Sequence, residues 1–255
     1  MKKKKLTLII LSIAVLFMTV SGIYLSVVKK PAADRNNQEK EPVLAEEQKE
    51  SPLYGKRIIF LGSSVTYGEA ADGYSFVDYL EEKDGIKAVK EAVSGTTLTD
   101  SGGDSYVQRM KNNIDKDMEA DAFVCQLSTN DATQRMPLGE IADTKELEDF
   151  DTGTVTGAIE YIIGYASETW DCPVIFYTNS KFGHKGYEEM IDVMTDIQKK
   201  WNIGFIDMYN DTEFNDISDE QKKEYMADYI HPTRQGYIQW WAPYIEDYLI
   251  TYLAE

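Results

Sequence analysis

The chain is expected to fold as an α/β protein: a three-layer α/β/α sandwich around a five-stranded parallel sheet. Three observations lead to that class. Short apolar runs alternate with longer amphipathic stretches from about residue 52 to residue 255. The first run, Ile58-Ile59-Phe60-Leu61, is too short for a helix and leads straight into Gly62-Ser63-Ser64. Small polar clusters then follow successive apolar runs, where the carboxyl edge of a parallel sheet would carry a site.

The N-terminus reads as a separate element. Lys2 to Lys5 precede an uncharged run from Leu6 to Val28, and Lys29 and Lys30 follow it. A run of that length spans a bilayer. It is longer than a cleavable signal core and no A-x-A site follows, so residues 1–30 are expected to be an uncleaved signal-anchor. The excess of lysine ahead of the span puts the rest of the chain on the outer side of the cell membrane, or in secreted form if the segment is cut. Residues 31–51 are polar and charged and read as a stalk with a reach of roughly 25 Å.

Residues 52–255 form the expected catalytic body. Strands are predicted over Arg57–Gly62, Ile86–Val93, Ala122–Ser128, Val174–Thr178 and Ile203–Met208. Helices are predicted over Tyr74–Glu82, Asp104–Met118, Thr154–Thr169, Lys185–Trp201 and Thr233–Leu253. No internal repeat is present. Residues Asp131 to Asp151 are acidic and irregular, with Pro137 and Gly139, and read as a lid or substrate wall. Trp240 and Trp241, with Tyr237, Tyr244, Ile245, Tyr248 and Leu249 at helical spacing, read as core more than as a sugar-stacking wall.

Charge excludes some partners. The chain carries −18 overall, but six of its 26 basic residues and none of its 44 acids lie in the first 30 positions. The remaining 20 against 44 leave the body and stalk at −24, which disfavours nucleic acid and anionic headgroups. Cys125 lies in an apolar run and Cys172 precedes Pro173; neither has metal-ligand spacing, and both read as buried thiols.

The loop after the first run carries the chemistry. A phosphate-cradling loop would need a lysine between Gly62 and Gly68, a dinucleotide fingerprint would need G-x-G-x-x-G, and a G-x-S-x-G elbow would need glycine where Thr66 stands. What remains is a serine, Ser64, at the end of the first strand. A serine nucleophile needs a base and a group to orient it. His231, in Asp228-Tyr229-Ile230-His231-Pro232, has Asp228 three residues before it. Pro232 keeps His231 out of helical geometry, and Thr233 is a candidate N-cap for the next helix. His184 has no acid at a useful spacing and reads as a rim or surface residue. Oxyanion donors are available at Gly95, in Val93-Ser94-Gly95-Thr96, and at Asn130, in Ser128-Thr129-Asn130-Asp131.

These residues, in this order, resemble the SGNH (GDSL-like) hydrolases over roughly Pro52 to Glu255. The resemblance implies a flavodoxin-like fold. It also implies Ser64 as nucleophile and first oxyanion donor, Gly95 and Asn130 as the other donors, and His231 with Asp228 as base and orienting acid. Two positions depart from the pattern: Ser63 stands where an acid usually precedes the nucleophile, and Ser128 where the third block usually has glycine. The implied activity is a serine esterase acting through an acyl-enzyme without metal or cofactor. The expected substrates are short-chain, chiefly O-acetyl, esters of small molecules or polysaccharides. Two alternatives stay open at this stage: a lysophospholipase or lipid acyl esterase at the membrane, and a non-catalytic glycan-binding domain of the same fold.

Overall fold

The computed structural model describes residues 46 and 48–254. The expected signal-anchor (1–30) and most of the expected stalk (31–51) lie outside them. Among the described residues no helix is long and apolar enough to cross a membrane.

Five strands form one wholly parallel sheet: β1 (Arg57–Gly62), β2 (Lys87–Ala92), β3 (Ala122–Gln126), β4 (Val174–Tyr177) and β5 (Gly204–Ile206), in the order β2-β1-β3-β4-β5. Ile58 sits opposite Ala88 on one side and Ala122 on the other, which sets the register of the centre. β1, β3 and β4 are almost wholly buried because both faces of each are covered. Ile59, Leu61, Phe123 and Cys125 face one core, while Ile58, Phe60, Ala122 and Val124 face the other. The edge strand β2 (Lys-Ala-Val-Lys-Glu-Ala) is only half-buried, as an edge allows. Cys125 and Cys172 are both buried free thiols.

The helices fall on the two faces. On one side lie α3 (Tyr106–Asn113), α5 (Val155–Trp170) and α6 (Lys185–Trp201); on the other lie α2 (Phe76–Asp84) and the C-terminal helix. Ser75 and Asp78 close a capping box at the start of α2, and Thr154 caps α5. α3 ends well short of the expected Met118, because Ile114 turns to extended geometry and into the core.

The expected helix Thr233–Leu253 is a composite. A single turn α8 (Arg234–Gly236), capped by the Thr233 hydroxyl, leads through a widened π turn (Tyr237–Trp241) into α9 (Ala242–Leu253). Pro243 lies in the first turn of α9 and lacks the N–H that would close a regular bond back to Gln239. The widened turn carries Trp241 into the core and stacks Trp240 on Phe214 at 4.7 Å, with Nε1 on the Phe214 carbonyl at 2.8 Å. Both tryptophans are taken up in packing.

Three short helices have no apolar period in the sequence: α1 (Ser64–Tyr67), α4 (Thr129–Thr133) and α7 (Asp219–Tyr225). α7 is mostly charged, with Tyr225 buried at its end, and starts at a Ser218/Gln221 capping box.

Residues 131–151 do not form a lid. The Pro137 and Leu138 carbonyls accept from Val155 and Thr156 at the head of α5. Further along, the Lys200 ammonium binds the Ala142 and Thr144 carbonyls at 2.6 Å and pairs with the fully buried Glu160 carboxylate. The segment is a strap across α5 and α6, held by groups a movable lid would have to abandon.

Contacts to α2 also reach back ahead of Pro52. Gln48 Nε2 donates to the Glu82 carbonyl at 2.6 Å, and Ser51 donates to Asp84 at 2.7 Å, so both grip the end of α2.

Candidate active site

Ser64 is the first residue of α1, immediately past the end of β1, and is 6 % exposed. Its Oγ lies 2.8 Å from His231 Nε2. His231 Nδ1 lies 2.9 Å from Asp228 Oδ2. A carboxylate only accepts, so Nδ1 carries the ring proton and Nε2 is left to accept from the serine hydroxyl. The three expected groups are therefore assembled as a relay.

The loop bearing the histidine is shaped by its own carboxylate. Asp228 Oδ1 accepts the N–H groups of Ile230 at 2.7 Å and His231 at 2.8 Å, and Ala227 donates back to the His231 carbonyl at 2.9 Å. Burial alone would raise the Asp228 carboxyl. The hydrogen bonds from the His231 ring and from the two backbone N–H groups outweigh that and hold it below the usual carboxylate range. Asn179, at the end of β4, donates to the Ile230 carbonyl at 3.2 Å and ties the loop to the sheet. The Tyr237 hydroxyl, 2.7 Å from the Val65 carbonyl, ties α1 to the C-terminal helix.

Gly95 and Asn130 stand on neighbouring loops. Gly95 has φ of +79°, and a Cβ there would meet nothing within 4 Å. The left-handed turn, not packing, requires the glycine here. Asn130 Nδ2 donates to the Thr96 carbonyl at 2.9 Å, which joins the two loops and leaves one amide N–H uncommitted to that bond. Ser128 caps α4 by accepting from the Asn130 N–H at 3.1 Å.

Several supporting residues had no role in the sequence reading. Asp131 is buried and accepts from Leu98 N–H at 2.7 Å and Thr99 N–H at 3.1 Å, pinning the chain after Gly95. Burial pushes its carboxyl up, against the lowering effect of those two bonds. Arg109 on α3 is buried and spends its guanidinium on the Gly62 carbonyl at 2.8 Å, the Thr96 hydroxyl at 3.0 Å and Glu91 at 3.0 Å. It welds the end of β1 to the Gly95 loop. A lone arginine on a short amphipathic helix gave no hint of this. Gln126 did leave a signal: an amide inside the apolar run Ala122 to Leu127.

His184 lies outside the relay. It is partly exposed, stands just before α6, and its ring centre is 6.1 Å from that of Phe182. Among the described residues no group of His, Cys, Asp or Glu is arranged to hold a metal ion.

The sequence profile of the GDSL-like Lipase/Acylhydrolase family matches residues 60–238, which span the site from β1 to the C-terminal helix. Comparison with curated proteins finds no match. Among solved structures, a protein from Lactobacillus plantarum aligns with TM-score 0.60 and 22 % identity, covering 79 % of this chain and 97 % of its own. A Bacteroides ovatus protein described as a GDSL-like lipase aligns with TM-score 0.55 and 17 % identity, covering 78 % and 98 %. A family two carbohydrate esterase from Clostridium thermocellum, solved in complex with cellohexaose, aligns with TM-score 0.57 and 16 % identity, covering 79 % and 65 %. At these identities the likeness extends to the fold.

Proposed function

Because the chain belongs to the GDSL-like lipase/acylhydrolase family, we propose that it is an extracytoplasmic serine esterase that removes short acyl groups, chiefly O-acetyl, from carbohydrate. One observation carries the reading: the continuous hydrogen-bonded line from Ser64 through His231 to Asp228.

In the proposed reaction, His231 Nε2 takes the Ser64 proton as Oγ bonds to the ester carbonyl carbon. Asp228 keeps the imidazole in the right tautomer and offsets the positive charge that develops on it. The N–H groups of Ser64 and Gly95 and the Asn130 amide receive the oxyanion. Collapse breaks the ester C–O bond, and His231 hands its proton to the departing alcohol. Water then attacks the acyl-serine, losing a proton to His231, and the acid leaves as Ser64 is reprotonated. Water and ester balance the whole cycle.

The carbohydrate part of the proposal is supported by the cellohexaose bound by the Clostridium thermocellum esterase. The extracytoplasmic part is supported by the lysine-flanked apolar run of residues 6–28, and the −24 charge of the remainder disfavours nucleic acid as a partner. The test is turnover of p-nitrophenyl esters of rising chain length beside acetylated oligosaccharides. Acetate should be preferred and acetylated glycan deacetylated. A preference for long acyl chains would point to lipid esters, and no turnover of any ester would refute the enzyme reading.

A further inference from the structure

Gln126 closes β3 with its side chain 1 % exposed, amid Ala122, Phe123, Val124, Cys125 and Leu127. Its Oε1 accepts the Ser63 N–H at 2.9 Å and the Thr66 hydroxyl at 2.8 Å, with Ser63 Oγ and Thr66 N–H farther off at 3.4 Å. Its Nε2 is buried without a hydrogen-bond partner. Burying an amide with one end unsatisfied costs free energy that an apolar side chain would not. Packing therefore does not account for a glutamine here, and the work of its carbonyl end must.

That carbonyl grips the turn around Ser64 from both sides. Ser63, just before the nucleophile, has φ −117° and ψ −141°. The ψ of Ser63 sets the plane of the Ser63–Ser64 peptide and so the direction of the Ser64 N–H. Beyond Ser64, the Thr66 hydroxyl is shared between Gln126 and the Tyr177 hydroxyl, 2.6 Å away. Gly62 makes room for the grip: a Cβ there would lie 1.7 Å from Thr66 Oγ1 and 2.9 Å from Gln126 Oε1.

We propose that Gln126 is a positioning residue, whose side-chain carbonyl orients Ser64 so that its hydroxyl meets His231 and its N–H faces the oxyanion. This rests on reading Ser64 as the nucleophile. The backbone N–H of Ser63 is one of the two short bonds in the clamp.

The test is Gln126→Met, which keeps length and apolar volume but has no strong acceptor. Two quantities are read: steady-state hydrolysis of p-nitrophenyl acetate, and affinity for phenylboronic acid. The boron adds to Ser64 Oγ as a tetrahedral borate while the serine proton passes to His231. Misplacing the reacting group by about 1 Å costs on the order of 10²-fold. We expect kcat to fall about 10- to 100-fold with KM held within about twofold, and boronate affinity to fall by a similar factor. A folded Gln126→Met protein with native kcat and native boronate affinity overturns the inference, even if its melting temperature drops. If Gln126→Met does not fold, Thr66→Val deletes one of the two short bonds, with an expected loss of about three- to tenfold in both readouts. An unchanged Thr66→Val then overturns the inference. A native protein that neither turns over the ester nor binds the boronate fails the esterase reading first, and this inference with it.

Discussion

Replacing Asn130 with alanine removes two interactions whose losses are read by different instruments. One amide N–H of Asn130 is engaged by the Thr96 carbonyl at 2.9 Å. The other is the proposed oxyanion donor. Losing an oxyanion donor costs about 2.7–4 kcal/mol of transition-state stabilisation, about 10²–10³ in kcat. Losing the bond to Thr96 costs about 0.5–1.5 kcal/mol of stability, since that carbonyl keeps only a long contact from Ser128 at 3.4 Å. For a domain of this size that is about 1–6 °C in Tm. The assay is steady-state hydrolysis of p-nitrophenyl acetate together with a thermal melt. Asn130→Ala should show a kcat lower by about 10²–10³, a KM nearly unchanged, and a Tm lower by a few degrees. A lowered Tm with native kcat would refute the donor role and leave Ser64 and Gly95 alone. A raised KM with native kcat would instead make Asn130 a holder of bound substrate.

Ser64→Ala and His231→Ala should each abolish nearly all turnover with little change in Tm, while His184→Ala should keep kcat; equal loss from the two histidine variants would sink the choice of base. Asp131 gives a pH test. Its carboxyl is raised by burial, so its contribution to stability is full below the unfolded-state range and is lost as pH rises through the folded-state value. The Tm deficit of Asp131→Asn relative to native protein should therefore be largest in acid and shrink towards neutrality; a deficit that grows with pH would contradict the assignment. Starting the chain at Pro52 instead of residue 46 removes the Gln48 and Ser51 bonds to α2. Differential scanning calorimetry should show a loss of roughly 1–3 kcal/mol for those two bonds; identical melting curves would show that the body begins at Pro52.

Much of the fold and the core of the site was legible because each signal is local. The strand β1 announces itself through four apolar residues that need burial on both faces. Asp228 and His231 lie within one turn of each other, and Pro232 keeps them out of a helix. Thr233 caps the helix it precedes, and Ser64, Gly95 and Asn130 each follow a strand whose end can be read from its apolar run. Where the signal was composition alone, it misled. The irregular run 131–151 looked like a lid because nothing in it shows that Lys200 and Glu160, far along the chain, pin it. Helical spacing served better: Trp240 and Trp241, read as core, are packed, with Trp241 fully buried and Trp240 stacked on Phe214.

What the chain determines by itself, then, is which residues can do the chemistry and which edge of the sheet they occupy. Their mutual aim was decided only by tertiary structure. The serine and histidine are 167 positions apart, and 2.8 Å separates their reacting atoms only because β1, β4 and the C-terminal helix are packed together. Arg109, Asp131, Asn179 and Gln126 hold that aim through bonds to backbone groups of distant loops. A backbone carbonyl or N–H is the same in every residue, so such a bond leaves no mark on its partner in the sequence. It becomes visible only once the fold has brought the two ends within 3 Å or so.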